Sequence, residues 1–235
     1  MKTNIKFLLA AVVVLASLEA TAQLRQSTVN ANNNNLAALA TFGPDGANIG
    51  ASSTIFNPPK AITGSYHLFE SFNNSGIFFT NNNKQLFIRN INYNIITGLF
   101  ESEIDDQTVF TFNFDNVDKV AVNGREFVSI LQPATGKTFV YEVIYQGEDF
   151  SLLKQHYLRI KTGSDNPMAA RPDKYVQKSD YILKKGKKMT KFKLKKSNVL
   201  SLYGNKAKEL EAFAKENKLS FKNDADLKRM LSNFN

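Results

Sequence analysis

Hydrophobic and polar residues alternate along most of the chain between residues 65 and 194. The clearest case is residues 108–114, where Phe110, Phe112 and Phe114 alternate with Thr111 and Asn113. Residues two apart lie on the same face of a β-strand, so this pattern predicts a strand with one buried face. Similar runs, separated by Asn, Gly and Ser clusters, predict strands at residues 65–72, 76–80, 84–90, 91–99, 117–122, 125–131, 137–145, 150–161, 175–183 and 189–194.

Short turns are predicted between consecutive strands. Asn123 and Gly124 both tolerate the positive φ angles of a type I′ turn, so this pair predicts a hairpin. Residues 146–149 and residues 185–187 are predicted to close two further hairpins. Consecutive hairpins build an antiparallel β meander, which forms either an open sheet or a partly closed barrel.

The spacing of apolar residues changes after residue 196. Leu210, Phe213 and Ala214 share one face of a helix predicted over residues 206–217. Shorter helices are predicted at residues 198–203 and near the C-terminus, with Ser197 and Asp224 as their N-caps. The predicted fold class is therefore mainly β, an antiparallel β meander followed by two or three short C-terminal helices.

The first 22 residues have the layout of a secretory signal peptide. Lys2 and Lys6 precede an apolar run over residues 7–16, and Ala20-Thr21-Ala22 forms a small-residue cleavage site. The apolar run has about half of the ~20 residues that a membrane-spanning helix needs. We therefore predict cleavage after Ala22 and export to the periplasm, the outer membrane or the cell surface, with no transmembrane segment in the mature chain.

Composition divides the rest of the chain into three parts. Residues 23–59 are rich in Asn, Gly and Pro, which predicts a flexible arm. Residues 60–196 form the predicted antiparallel β domain, and residues 197–235 form a basic helical C-terminal segment. The chain has no cysteine, so disulfides, cysteine lipidation, thiol catalysis and cysteine metal sites are excluded.

Positive charge is concentrated near the C-terminus. Residues 23–177 contain twelve Lys and Arg against fourteen Asp and Glu, whereas residues 178–235 contain sixteen against six. Eight lysines lie in or beside the last predicted hairpin, and they are our predicted anion- or partner-binding residues: Lys184, Lys185, Lys187, Lys188, Lys191, Lys193, Lys195 and Lys196. Alternation with Phe192 and Leu194 predicts that Lys191, Lys193 and Lys195 share a solvent-facing strand surface.

Two interpretations of this lysine cluster stay open. Its positive potential favours contact with phosphate groups of the envelope or with an acidic envelope protein. Alternatively, lysines on an edge strand prevent pairing between sheets. Nucleic acid is not the predicted partner, because the chain is exported and no aromatic residue interleaves on the lysine face to stack on bases.

Other candidate chemistry is sparse. The two histidines, His67 and His156, belong to no recognisable motif, and no phosphate loop, nucleophile elbow or dinucleotide fingerprint occurs. Glu101, Glu103 and Asp105 alternate along a predicted strand, but their spacing matches no calcium loop. We therefore predict no catalytic residues, no metal site and no cofactor.

Four segments of the chain have a distinctive pattern: residues 85–94 (QLFIRNINYN), residues 117–128 (VDKVAVNGREFV), residues 141–147 (YEVIYQG) with the following Leu-Leu-Lys, and the lysine-rich hairpin leading into the C-terminal helices. Together they resemble an uncharacterised exported protein family of Bacteroidota. The resemblance covers roughly 170 of the 235 residues and leaves the Asn-rich arm outside. It implies an exported, envelope-associated protein and supplies no catalytic residues.

These observations predict a non-enzymatic exported structural or interaction protein of the cell envelope, docking through the lysine-rich hairpin. The alternative is a β-barrel that binds a small apolar ligand among its Phe and Tyr residues. A hydrolase acting on envelope polymers is the third possibility, because loops can carry a dispersed site.

Overall fold

A computed structural model describes residues 50–54, 62–106, 108–164, 166, 168 and 170–234. The predicted signal peptide, residues 1–22, lies outside these ranges, as does most of the predicted arm. Within the arm, residues 50–54 form a strand instead.

The described residues form twelve β-strands followed by three short α-helices. The strands are β1 (Gly50–Thr54), β2 (Ser75–Thr80), β3 (Gln85–Arg89), β4 (Ile91–Asn94), β5 (Leu99–Asp105), β6 (Thr108–Phe112), β7 (Val117–Val122), β8 (Arg125–Gln132), β9 (Lys137–Gln146), β10 (Ser151–Lys161), β11 (Lys174–Lys185) and β12 (Lys188–Phe192). The helices are α1 (Lys196–Ser201), α2 (Ala207–Glu216) and α3 (Asp224–Ser232), with a 3-10 turn at Gly204–Lys206. The predicted fold class is confirmed.

Two antiparallel sheets organise the strands. The larger has eight strands in the order β12-β11-β10-β9-β8-β7-β2-β3, so six consecutive strands form a meander. The smaller has four strands in the order β1-β6-β5-β4. Both are open sheets in the described part of the chain, and β3 and β12 are the edges of the larger one.

One predicted turn is confirmed, and one predicted strand is wrong. Asn123 and Gly124 have φ angles of 50° and 76°, so the turn between β7 and β8 is confirmed. The strand predicted at residues 65–72 is wrong: this segment bends and pairs only through a bridge between His67 and Asn94. Asn92 stabilises the bend, since its side chain accepts from Phe69 N and donates to the Phe69 carbonyl.

The two predicted helix caps are also wrong. Helix α1 begins at Lys196, and no side chain caps it. Helix α3 begins at Asp224, and its N-cap is Asn223, whose side-chain oxygen accepts from Asp226 N. Asp and Asn are both favoured at helix starts, so the sequence alone leaves the cap ambiguous by one residue.

A first core, rich in phenylalanine, fills the space between the two sheets. Phe78 and Phe127 come from the larger sheet, whereas Phe100, Phe110 and Phe112 come from the smaller one, and all five are fully buried. Ring centroids of Phe78 and Phe112 are 4.5 Å apart. We call the face of the larger sheet that carries Phe78 and Phe127 the inner face, and the opposite face the outer face.

A second core lies farther along the same inner face. Ile144 of β9 and Leu152 of β10 pack against buried residues of the C-terminal helices, including Leu210, Leu227 and Met230. Each such side chain contributes about 1.5–3 kcal/mol when it leaves water. The helices are therefore an integral layer of the fold.

Candidate functional site

The lysine-rich hairpin is formed by the end of β11 and by β12. Gly186, with a φ of 54°, turns the chain between them, and Lys184 pairs with Met189 across the hairpin. Because β12 is an edge strand, the hairpin lies at the border of the larger sheet. Lysines at such an edge are accessible from solvent.

The lysine-rich hairpin and the residues that follow it pack against the second core on the inner face. Phe192 and Leu194 are half-buried against that core, as their alternation with lysine predicted. Lys191, Lys193 and Lys195 are exposed. The hairpin is thereby held in one position on the fold.

The predicted shared strand face is wrong for two of these lysines. β12 ends at Phe192, and the Lys193 carbonyl then accepts from Lys195 N and from the Asn198 side chain. Lys193 and Lys195 consequently lie in the connection to α1. The lysines form a border around the hairpin and its exit, not one strand face.

Two of the eight predicted binding lysines are ion-paired. Lys191 Nζ lies 2.7 Å from Asp180 Oδ2, a hydrogen bond that raises the pKa of Lys191. Lys196 Nζ lies 2.6 Å from Glu211 Oε1. The other six have no ion pair with a described carboxylate: Lys184, Lys185, Lys187, Lys188, Lys193 and Lys195. All of these except the half-buried Lys184 are exposed.

A row of polar side chains that the sequence did not predict crosses the inner face between the two cores. We call it the polar seam, and its members are Arg125, Glu142, Lys154, His156, Tyr181 and Asp224. Arg125 Nε and Nη2 donate to the two Glu142 carboxylate oxygens at 2.8 and 2.7 Å. His156 Nε2 lies 2.8 Å from Glu142 Oε2.

Glu142 is the electrostatic centre of the seam. Only 5 % of its surface is exposed. Burial alone would raise the pKa of this carboxyl group, but the hydrogen bonds and charges of His156 and Arg125 lower the pKa to about 2. Arg125 also lies over the rings of Phe69 and Phe127, at 5.2 and 5.5 Å from their centroids. The seam therefore holds a charged carboxylate inside the protein.

The other end of the seam joins α3 to the sheet. Lys154 Nζ lies 2.6 Å from Asp224 Oδ2, and the Tyr181 hydroxyl donates to Asp224 Oδ1 at 2.6 Å. Burial and the adjacent Asp224 raise the pKa of Tyr181, so its hydroxyl stays protonated. These groups bond to one another, which is the arrangement of a structural network.

The second histidine also has a buried acidic partner. His67 Nε2 lies 2.8 Å from Glu101 Oε2, and the Asn94 amide donates to Glu101 Oε1 at 2.8 Å. The sequence grouped Glu101 with Glu103 and Asp105 as one acidic run. In the structure Glu101 is buried, with only 7 % of its surface exposed, whereas Asp105 is exposed. Among the described residues, no group of three or more His, Asp or Glu side chains is placed to hold a metal ion.

A groove of about 590 Å³ opens on the outer face beside β2 and β3. Phe79 and Val128 contribute apolar surface, but most of the lining is polar, including Lys84, Asp118 and Lys119. Lys119 lies over the Phe79 ring, 4.8 Å from its centroid. This groove lacks the predominantly apolar lining usual for small-molecule sites.

Comparison with known proteins gives no assignment. The chain matches no protein-family model, no curated protein and no solved structure. The resemblance to the Bacteroidota family stays a prediction. Within the part of the chain that the structure describes, no helix has the length and apolar character needed to cross a bilayer.

Proposed function

We propose that this protein is a non-enzymatic, exported interaction protein that docks to an anionic surface of the cell envelope through its lysine-rich hairpin. The observation that carries the proposal is the group of five exposed lysines without a described carboxylate partner: Lys185, Lys187, Lys188, Lys193 and Lys195. Their charge is available to a ligand, because it is not neutralised by the neighbouring residues described.

The surrounding packing supports a docking role. Phe192 and Leu194 attach the hairpin to the second core, so the lysines are presented from a supported edge. A supported edge loses less conformational freedom on binding than a free tail does. The same lysines also protect the edge strand from sheet-to-sheet pairing, a role compatible with docking.

The test is binding of the mature chain, from Gln23, to lipid vesicles. Vesicles containing phosphatidylglycerol are compared with neutral phosphatidylcholine vesicles by co-sedimentation at low and high salt. We expect binding only to the anionic vesicles, and weaker binding as salt screens the lysine charges.

Charge variants locate the docking surface. Lysines near an anionic membrane contribute about 1 kcal/mol each, so replacing Lys187, Lys188 and Lys193 by Gln lowers affinity on the order of 100-fold. The matched control replaces three exposed helix-segment lysines by Gln: Lys208, Lys222 and Lys228. Equal losses in both triple variants, or binding that is insensitive to salt, would contradict docking through the hairpin.

A further inference from the structure

The groove on the outer face, which we call the outer groove, is formed by the β2–β3 hairpin together with β7, β8 and the end of β9. Phe79 of β2 and Val128 of β8 supply its apolar surface, and Gln85 of β3 and Glu126 of β8 line it beside them. Strand pairing fixes these positions, because Phe79 pairs with Gln85 on one side and with Lys119 on the other. The groove is therefore built on paired strands of the larger sheet.

A β-bulge directs Asp118 into the outer groove. Phe79 of β2 pairs with Lys119, but the next residue of β2 pairs with Val117, so Asp118 is an extra residue in β7. Neighbouring residues of a regular strand point to opposite faces of the sheet. Because of the bulge, Val117 is buried in the first core, while Asp118 and Lys119 both line the groove.

A second β-bulge directs Gln146 into the same groove. In β9, Tyr145 and Val143 pair with consecutive residues of β10, so Ile144 between them is the extra residue. Ile144 and Tyr145 consequently both belong to the second core on the inner face, and Gln146 lines the groove on the outer face. Bulges that re-aim a side chain are over-represented beside active sites. Here two bulges supply polar side chains to one groove.

The lining of the outer groove has no net charge. Lys84 and Lys119 are balanced by Asp118 and Glu126, and Lys119 Nζ lies 3.4 Å from Glu126 Oε2. An anionic ligand would meet both carboxylates as well as both lysines, so the charges do not favour an anion. The groove therefore differs from the lysine-rich hairpin in the class of ligand that it suits.

Hydrogen-bonding groups of both kinds surround the apolar surface of the groove. The carboxylates of Asp118 and Glu126 accept, the Lys84 ammonium group donates, and the amides of Gln85 and Gln146 do both. A neutral sugar presents the complementary groups, because it combines apolar C–H groups with a hydroxyl on nearly every carbon. The groove volume of about 590 Å³ lies within the range of about 300–1,000 Å³ for ligand sites.

We propose that the outer groove is a binding site for a neutral oligosaccharide. C–H groups of the sugar pack on Phe79 and Val128, while its hydroxyl groups donate to Asp118 and exchange hydrogen bonds with Gln146. The mostly polar lining suits such a ligand, because each hydroxyl that leaves water needs a hydrogen-bond partner. The groove lies toward the β3 edge of the sheet and the lysine-rich hairpin at the β12 edge, so this site is separate from the proposed docking surface.

Binding of the mature chain, from Gln23, to a glycan array tests the proposal. The array carries neutral oligosaccharides of glucose, mannose, galactose, xylose and N-acetylglucosamine, with oligosaccharides of uronic acids as the acidic comparison. Titration calorimetry then measures the affinity for the neutral glycan that binds best. We expect this affinity to change less than about twofold between low and high salt, because a neutral ligand has no charge to screen.

Variants locate the site. Replacing Asp118 and Gln146 together by Ala removes two exposed side chains and should lower the affinity about tenfold or more, the effect of two lost hydrogen bonds. The matched control replaces Asp106 and Gln177 by Ala, because both are exposed and lie outside the groove lining. This control should bind as the unaltered chain does.

The hairpin variant separates this proposal from the docking function. Replacing Lys187, Lys188 and Lys193 by Gln should leave the glycan affinity unchanged, whatever it does to vesicle binding.

Three results would overturn the proposal. The first is an array on which no neutral glycan is bound. The second is binding only to the acidic oligosaccharides with loss at high salt, which shows an anion site. The third is equal affinity of the Asp118/Gln146 variant and its control, which places the bound glycan elsewhere on the protein.

Discussion

The buried Glu142 carboxylate allows a quantitative test of the polar seam. Its pKa lies near 2 in the folded protein, against 4.5 for the free side chain. A lowered folded-state pKa means that the group stabilises the fold at pH values above 4.5, and that this stabilisation is lost as the pH falls through 2. The difference of about 2.5 pH units corresponds to about 3 kcal/mol above pH 5 and to about half of that at pH 3.

Replacing Glu142 by Gln removes this charge and leaves Arg125 and His156 without their partner. We expect a loss of about 3 kcal/mol in the free energy of unfolding at pH 7, because breaking a buried ion pair leaves an uncompensated charge. The loss becomes smaller at pH 3, where the unaltered protein has already lost part of the same stabilisation.

Urea unfolding of the unaltered protein and the variant at pH 7 and pH 3, followed by circular dichroism, measures both quantities. Glu126→Gln is the matched control, since Glu126 pairs with Lys119 at 3.4 Å on the surface and such pairs contribute less than about 1 kcal/mol. If Glu142→Gln loses the same free energy of unfolding at pH 7 and at pH 3, the ionised Glu142 carboxylate does not supply this stabilisation, and the reasoning is refuted.

Three further substitutions test the packing and the turns by the same urea assay. Leu227→Ala removes a fully buried side chain of α3 and should cost about 2–5 kcal/mol; a loss below 1 kcal/mol would mean that the helices do not pack as described. Asn223→Ala removes the cap of α3 and should cost about 1 kcal/mol, whereas Asn233→Ala at the other end should cost less. Gly124→Ala strains a residue with a φ of 76° and should cost about 1–2 kcal/mol, the cost of a left-handed conformation for a residue with a Cβ; no loss would argue against the type I′ turn.

Features that depend on neighbouring residues were predictable from the sequence. The alternation of Phe110 and Phe112 with polar residues places both rings in the first core, and the turn residues at 123 and 124 define a hairpin. The segment over residues 65–72 has a similar alternation but does not form a strand. There, long-range hydrogen bonds from Asn92 hold a bend, and such tertiary contacts override local preference.

The ionic pairs were not predictable, because their partners are distant in the sequence. His67 and Glu101 are 34 residues apart, and His156 and Glu142 are 14 residues apart. Only the register of the strands and the path of the bend bring them together. The lysine cluster, in contrast, was visible because its eight members lie within thirteen residues of one another in the sequence. The end of β12 at Phe192 nevertheless changed their arrangement.

The separation of the two cores by the polar seam has a consequence for how the protein opens. The helices pack on β9 and β10 through the second core, whereas the first core between the two sheets, as described, contains no helix residue. We therefore expect the C-terminal helices and the end of β12 to open together as a sub-global unit, at a lower free energy than the first core. In a hydrogen-exchange experiment, the backbone amides of α2 and α3 should exchange with solvent together. They should exchange earlier than the amides of β2 and β7, which border the first core.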